Sequence, residues 1–180
     1  MLTPEMNAKA ALRRDLLAAR SELTTEQLSK AAHLLAGHLE NLLLEVRPTT
    51  VAVYVPFGSE PGGPGMPGLV ASLASKVIVP VLLPDKDLAW TGLDGGERLA
   101  PQAISQAELI IVPALAVDVT GYRLGRGGGS YDRALSRASS SALLVALLHD
   151  GEILAQVPHE PHDRKVHRAL TPIGVTKLDR

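Results

Sequence analysis

Between positions 121 and 133 the chain reads Gly-Tyr-Arg-Leu-Gly-Arg-Gly-Gly-Gly-Ser-Tyr-Asp-Arg. Gly125, Gly127, Gly128 and Gly129 fall within five positions, with Arg123 and Arg126 among them. Glycine admits positive φ and lets a ligand approach the main chain without a Cβ in the way. Amides that converge in such a turn, just ahead of a helical pattern, form an anion cradle. Two guanidiniums beside it favour phosphate, which accepts forked hydrogen bonds. Asp132 stands where a hard cation bridging phosphate oxygens needs a carboxylate.

Other chemistry-bearing residues are scattered along the chain. Lys9 and Arg13, four apart, share one helix face. Such cations form a solvated face by default, and a ligand role requires their helix to lie over the glycine turn. Glu60 follows the first predicted strand, either as an exposed loop acid or as a binding group. His159-Glu-Pro-His162-Asp163 is not the His-Glu-x-x-His of a zinc helix, and Pro161 would break that helix. Asp163 fits better as one carboxylate on magnesium, which takes one or two carboxylates plus phosphate oxygens and water. With no cysteine and no Gly-x-Ser-x-Gly turn, a nucleophilic triad has no support. The glycine segment lacks the Gly-Lys-[Ser/Thr] of a P-loop. As a dinucleotide fingerprint it carries Ser130 where a third glycine belongs; that alternative would make Asp150 the ribose-binding acid.

These residues need elements to bring them together. Apolar spacing predicts helices over residues 5–20 and about 25–45, the second with an N-cap at Thr24 or Thr25. Val51–Val55 reads as a buried strand, followed by a Pro/Gly-rich turn at 61–68 and a helix near 66–75. Strands are predicted at 76–83, 88–91, 109–112 and 143–148, with a helix at about 129–138. Beyond 148, Pro158, Pro161 and Pro172 limit regular structure. Strands alternating with helices predict an α/β fold with a mainly parallel sheet covered on both faces. Ligands of such sheets bind beyond the strand carboxyl ends. That draws attention to Glu60, Asp118, His149 and Asp150.

At 180 residues the chain suits one α/β domain spanning 1–180. A hydrophobic content of 46% argues against disorder, and a net charge of −1 gives no electrostatic basis for binding nucleic acid. The lack of cysteine excludes disulfides and thiol-ligated metals and fits a reducing cytoplasm. The first residues carry no signal-peptide h-region, and no apolar run approaches the ~20 residues of a membrane helix. The aromatic residues are Tyr54, Phe57, Trp90, Tyr122 and Tyr131, so the core must be aliphatic; Trp90 could be core or ligand wall.

The run from Val112 to Arg133, Val-Pro-Ala-Leu-Ala-Val-Asp-Val-Thr-Gly-Tyr-Arg-Leu-Gly-Arg-Gly-Gly-Gly-Ser-Tyr-Asp-Arg, closely resembles the signature of the 5-formyltetrahydrofolate cyclo-ligase (5,10-methenyltetrahydrofolate synthetase) family. Lys9-x-x-x-Arg13, a strand ending near Glu60, and Val157-Pro-x-x-x-x-Asp163-x-x-Val agree in order and spacing. The resemblance implies a three-layer α/β/α sandwich. It also implies an ATP- and Mg2+-dependent closure of 5-formyltetrahydrofolate to 5,10-methenyltetrahydrofolate through an iminium phosphate, with ADP and phosphate released. It assigns Lys9, Arg13, Arg123, Gly125, Arg126, Gly127, Gly128, Gly129, Ser130 and Tyr131 to ATP. Val55, Glu60, Arg126, Gly128, Gly129, Ser130 and Tyr131 fall to the folate, and Asp132 and Asp163 to magnesium. It implies neither nucleic acid nor membrane as a partner and leaves the oligomeric state open, a monomer included. Two departures stand out. Ser130 replaces the first of two tyrosines common in the family, leaving Tyr131 or Phe57 as an aromatic wall. The 61–68 stretch replaces a more helical, acidic segment. A non-catalytic folate- or nucleotide-binding relative is the remaining alternative.

Overall fold

The computed structural model describes residues 4–160 and 163–178. Two long helices open the chain, α1 (Pro4–Ser21) and α2 (Thr25–Val46). Thr24 caps α2 reciprocally: its hydroxyl accepts from Gln27 N at 3.2 Å, and the Gln27 side chain accepts from Thr24 N at 2.8 Å. Then follow β1 (Thr50–Val53), α3 (Met66–Leu73), β2 (Lys76–Leu82), β3 (Leu88–Gly92) and a 3-10 turn over Pro101–Gln106. The rest comprises β4 (Leu109–Pro113), β5 (Ala116–Asp118), β6 (Arg123–Leu124), α4 (Ser130–Ser136), β7 (Leu143–Leu147), β8 (Ile153–Leu154), β9 (Arg168–Thr171) and β10 (Gly174–Lys177).

The main sheet has seven strands in the order β10-β9-β7-β4-β1-β2-β3. The five inner strands run parallel, and β3 and β10 close the two edges antiparallel. Alternate residues of each strand serve opposite faces. Val51, Val53, Leu109, Ile111, Val145 and Leu147 pack with Leu35, Leu39 and Leu43 of α2 and with Met66 and Val70 of α3. Ala52, Ile110, Val112, Leu144 and Ala146 pack on the other face with Trp90, Ile104, Ala134 and Leu135. Helices thus cover both faces of a sheet whose inner strands are near-continuous hydrophobic runs, as parallel strands require. Trp90 is core, 0% exposed.

Three findings revise the sequence-based expectations. β1 ends at Val53, so Val55 lies beyond the strand and is exposed. The segment beyond 148, expected to be irregular, supplies β9 beside β7 and the edge strand β10. Its Arg168-Ala-Leu-Thr carries only two apolar residues, too few to register as a periodic run. The chain also builds a second, three-stranded sheet, β6-β5-β8, from the residues leading into the glycine segment and the short strand that follows β7.

Asp118 organises that small sheet. Its Oδ1 accepts from Thr120 N, the Thr120 hydroxyl and Tyr122 N, and its Oδ2 accepts from Val157 N at 3.0 Å. Burial opposes ionisation here, but the Thr120 hydroxyl and the three main-chain donors outweigh it and hold the carboxyl below its ordinary value. A carboxyl depressed on folding stabilises above its unfolded pKa of about 3.9 and loses that contribution as pH falls through the lower folded value. Asp118→Asn is therefore expected to be less stable than wild type at pH 7. The gap should narrow between pH 5 and pH 3, read from urea midpoints at each pH. A constant gap would refute the linkage.

Candidate active site

Winding proceeds from β1 to β2 on one side and then returns to β4 on the other side of β1. The crevice left beyond the carboxyl ends of β1 and β4 is where open α/β sheets bind ligands. It opens here into a cleft of about 940 Å3. The cleft takes in the segments after β1 and β4, the glycine turn, the first half of α1, and Asp163.

Helix α1 lies across the glycine turn, the condition that the spacing of Lys9 and Arg13 could not establish. Leu12, Leu16 and Leu17 pack against Leu115, Ala116, Leu124 and Val157, which turns the cationic face of α1 toward the cleft. Arg13 Nε donates to Gly125 O at 2.9 Å. Its guanidinium also sits under Gly127, where a Cβ would come within 3.3 Å of Arg13 Cζ. Gly127 has φ +102°, so a side chain there would be strained by the backbone conformation and would crowd the Arg13 guanidinium.

The other cations of the cleft meet its carboxylates. Arg123, whose side chain is buried, donates through Nη2 to Asp132 Oδ1, while its Nε has no partner among the described residues. Arg126 Nε donates to Glu60 Oε1 at 3.1 Å, and its guanidinium lies 4.8 Å from the centre of the Phe57 ring. Lys9 Nζ stands 3.4 Å from Asp163 Oδ2 and 3.5 Å from Glu160 Oε1. Glu60 is buried and also accepts from Phe57 N at 3.2 Å. The Tyr131 hydroxyl is buried without a partner among the described residues. Burial raises its pKa, the nearby Arg123 charge opposes that, and Glu60 adds to it.

The C-terminal arm that carries Asp163 is tied down along its length. Val166 N donates to Gly121 O at 2.8 Å, and a Cβ on Gly121 would fall 2.5 Å from Val166 O. The rings of Tyr122 and His159 stack at 3.5 Å. Arg164 donates to the carbonyls of Leu135 and Ala138 at the end of α4, the helix that contains Asp132. His159 is thus used in packing, and His162 lies outside the described residues.

The model of the 5-formyltetrahydrofolate cyclo-ligase family matches residues 5–172. The chain belongs to this family. It is 36% identical to the 5-formyltetrahydrofolate cyclo-ligase of Mycolicibacterium smegmatis, over 92% of this chain and 94% of that protein. It is 27% identical to that of Escherichia coli K12, over 87% of this chain and 96% of that protein. Among solved structures, the fold is shared with two 5,10-methenyltetrahydrofolate synthetases. The one from Aquifex aeolicus superposes with a TM-score of 0.79 at 24% identity, covering 96% of this chain and 93% of that one. The one from Mycoplasma pneumoniae gives 0.78 at 20% identity, covering 91% and 98%.

Every residue that the cyclo-ligase resemblance singled out lines this one cleft, from Lys9 and Arg13 through Val55 and Glu60 to residues 123–132 and Asp163. The dinucleotide alternative loses its basis. Asp150 does not line the cleft, and the glycine turn is entered from β6 of the small sheet, not from a parallel strand of the main one. Asp118, flagged after the fourth strand, is spent on main-chain hydrogen bonds.

Sequence reasoning missed Arg20. It is buried at the end of α1, lines the cleft, and pairs with Glu152 through Nε and Nη2, each at 2.7 Å. Its Nη2 also donates to Ala114 O at 2.7 Å. The signal was available: Arg20 follows Arg13 by seven residues, nearly two turns, and so stays on the face of Lys9 and Arg13.

Proposed function

We propose that this cyclo-ligase converts 5-formyltetrahydrofolate to 5,10-methenyltetrahydrofolate, consuming ATP and releasing ADP and phosphate, as one catalytic unit over residues 1–180. The observation that carries this reading is the meeting of α1 cations, glycine turn and buried Glu60 in a single cleft. A formamide oxygen is a poor leaving group. Transfer of the terminal phosphoryl group onto it gives an N5-iminium phosphate. N10 then attacks the former formyl carbon, the C–O bond breaks toward phosphate, and the N10 proton is released.

Such a transfer calls for positioning and charge neutralisation more than for a protein nucleophile. Lys9, Arg13 and Arg123 hold the phosphates together with the amides of residues 125–130, and Arg13 keeps its grip on Gly125 while doing so. Arg126 lies between the two reactants, Glu60 on one side and the phosphates on the other. Glu60 accepts hydrogen bonds from the pterin, with Val55, Gly128, Gly129 and Ser130 along its edge. Tyr131 brings a buried hydroxyl, unpartnered among the described residues, to the wall shared by both ligands.

The donor set suits magnesium. Among the described residues no three Asp, Glu, His or Cys side chains gather into a ready-made metal cage. Asp132 and Asp163 line the cleft as the two carboxylates that would hold the ion. Bound there, magnesium would neutralise phosphate charge. Asp132→Asn is expected to raise the Mg2+ concentration for half-maximal rate about tenfold, a loss near 1.4 kcal/mol in ion binding. An unchanged Mg2+ titration would move the ion elsewhere.

The deciding experiment mixes the purified protein with 5-formyltetrahydrofolate, ATP and Mg2+ and follows methenyl-folate absorbance. Product should form only when all three are present. No ATP-dependent signal at high protein concentration would leave a binding protein without turnover.

A further inference from the structure

Glu60 sits in a stretch that is soft by composition. Gly58, Gly62 and Gly63 all adopt positive φ around it, and Pro61 follows it directly. Glycine-rich main chain has little conformational preference of its own. Phe57 N and Arg126 each hold one oxygen of its carboxylate, and the soft main chain that carries Glu60 needs support from outside the loop.

Two buried side chains hold the carbonyls on either side of Glu60. His149 Nε2 lies 2.8 Å from Ser59 O. A carbonyl only accepts, so Nε2 carries the proton. The Tyr54 hydroxyl donates to Pro61 O at 2.6 Å. Burial, reinforced by the Glu60 charge and opposed by Arg20, holds the Tyr54 phenol well above its ordinary pKa, so it remains a donor. Behind His149 the support is rigid. Its main-chain N donates at 2.7 Å to Glu152 Oε2, and Glu152 is locked by the forked pair with Arg20. The anchor thus runs from the nucleotide-facing helix α1, through Glu152 and His149, to the residue before Glu60.

We infer that His149 and Tyr54 are positioning residues that aim Glu60 at the folate. His149 stands outside the cleft lining; Tyr54 lines the cleft but turns its hydroxyl to Pro61. The inference rests on the proposed folate role of Glu60, and a Glu60→Gln control separates the two.

The test measures binding of 5-formyltetrahydrofolate without nucleotide, and of ADP without folate, by titration calorimetry, with thermal unfolding recorded for each variant. Tyr54→Phe removes one oxygen, and His149→Leu removes the donor. Each is expected to weaken folate about five- to tenfold, the usual worth of one hydrogen bond, while ADP stays within about twofold. His149→Gln, whose amide nitrogen stands in for Nε2, should restore most of the folate affinity. Unchanged folate binding in Tyr54→Phe and His149→Leu, with Glu60→Gln weakened, would overturn the positioning role alone. Equal losses for folate and ADP alongside a lowered melting temperature would also overturn it, in favour of a purely structural role. Normal folate binding by Glu60→Gln would overturn the folate assignment and this inference with it.

Discussion

Arg123→Ala is expected to lower turnover by at least about 100-fold, the scale found when one preorganised donor to a developing anion is removed. Its surroundings support that proposed role. Its side chain is buried, one of its donors has no partner among the described residues, and another is engaged with the candidate metal carboxylate Asp132. A cation held there before the ligand arrives needs no reorganisation during reaction. The variant should still fold, since Asp132, left unpaired, is 43% exposed and can be hydrated. Arg123→Lys keeps the charge but not the fork and should fall between the two. Steady-state rates with saturating ATP provide the measurement. A drop of less than about threefold, under ~0.7 kcal/mol, would remove Arg123 from the phosphate site.

Glu152→Leu should produce the largest loss of stability among single substitutions in this network. Arg20 and Glu152 are both buried, 3% and 6% exposed, and are satisfied chiefly by one another. Removing one partner leaves a charge stranded out of water, which typically costs about 3–5 kcal/mol. In a domain of this size that corresponds to a melting temperature lower by roughly 6–20 °C. The double variant Arg20→Met/Glu152→Leu strands no charge and should recover much of the loss. Calorimetric scans of the three proteins decide the matter. A Glu152→Leu protein that melts within about 2 °C of wild type would mean that water reaches the pair.

Much of this architecture was legible in the chain. The strands at 76–82, 109–113 and 143–147 announced themselves as aliphatic runs because both their faces are buried. The start of α2 was legible as an N-cap at Thr24 or Thr25, and Thr24 takes that place. The glycine turn was legible because a main chain that other groups must approach closely tolerates few residue types. What stayed hidden depends on distant partners. β9 becomes a strand only because β7 offers it a parallel edge. The helix face of Arg20 could be read from spacing, but its pairing with Glu152 appears only when the fold brings the two together across 132 positions. The seating of Arg13 beneath Gly127 likewise depends on how α1 packs on the small sheet, which spacing within one helix does not encode.

The placement of Trp90 has a practical consequence. It is the one tryptophan of the chain, wholly enclosed by the sheet and the α4 layer, and it stays clear of the cleft. Its indole fluorescence should therefore be blue-shifted in the native protein and move to the red as denaturant admits water. Because Trp90 does not line the cleft, ADP or ATP binding is expected to leave this signal little changed, so it should serve to monitor melting with the nucleotide present.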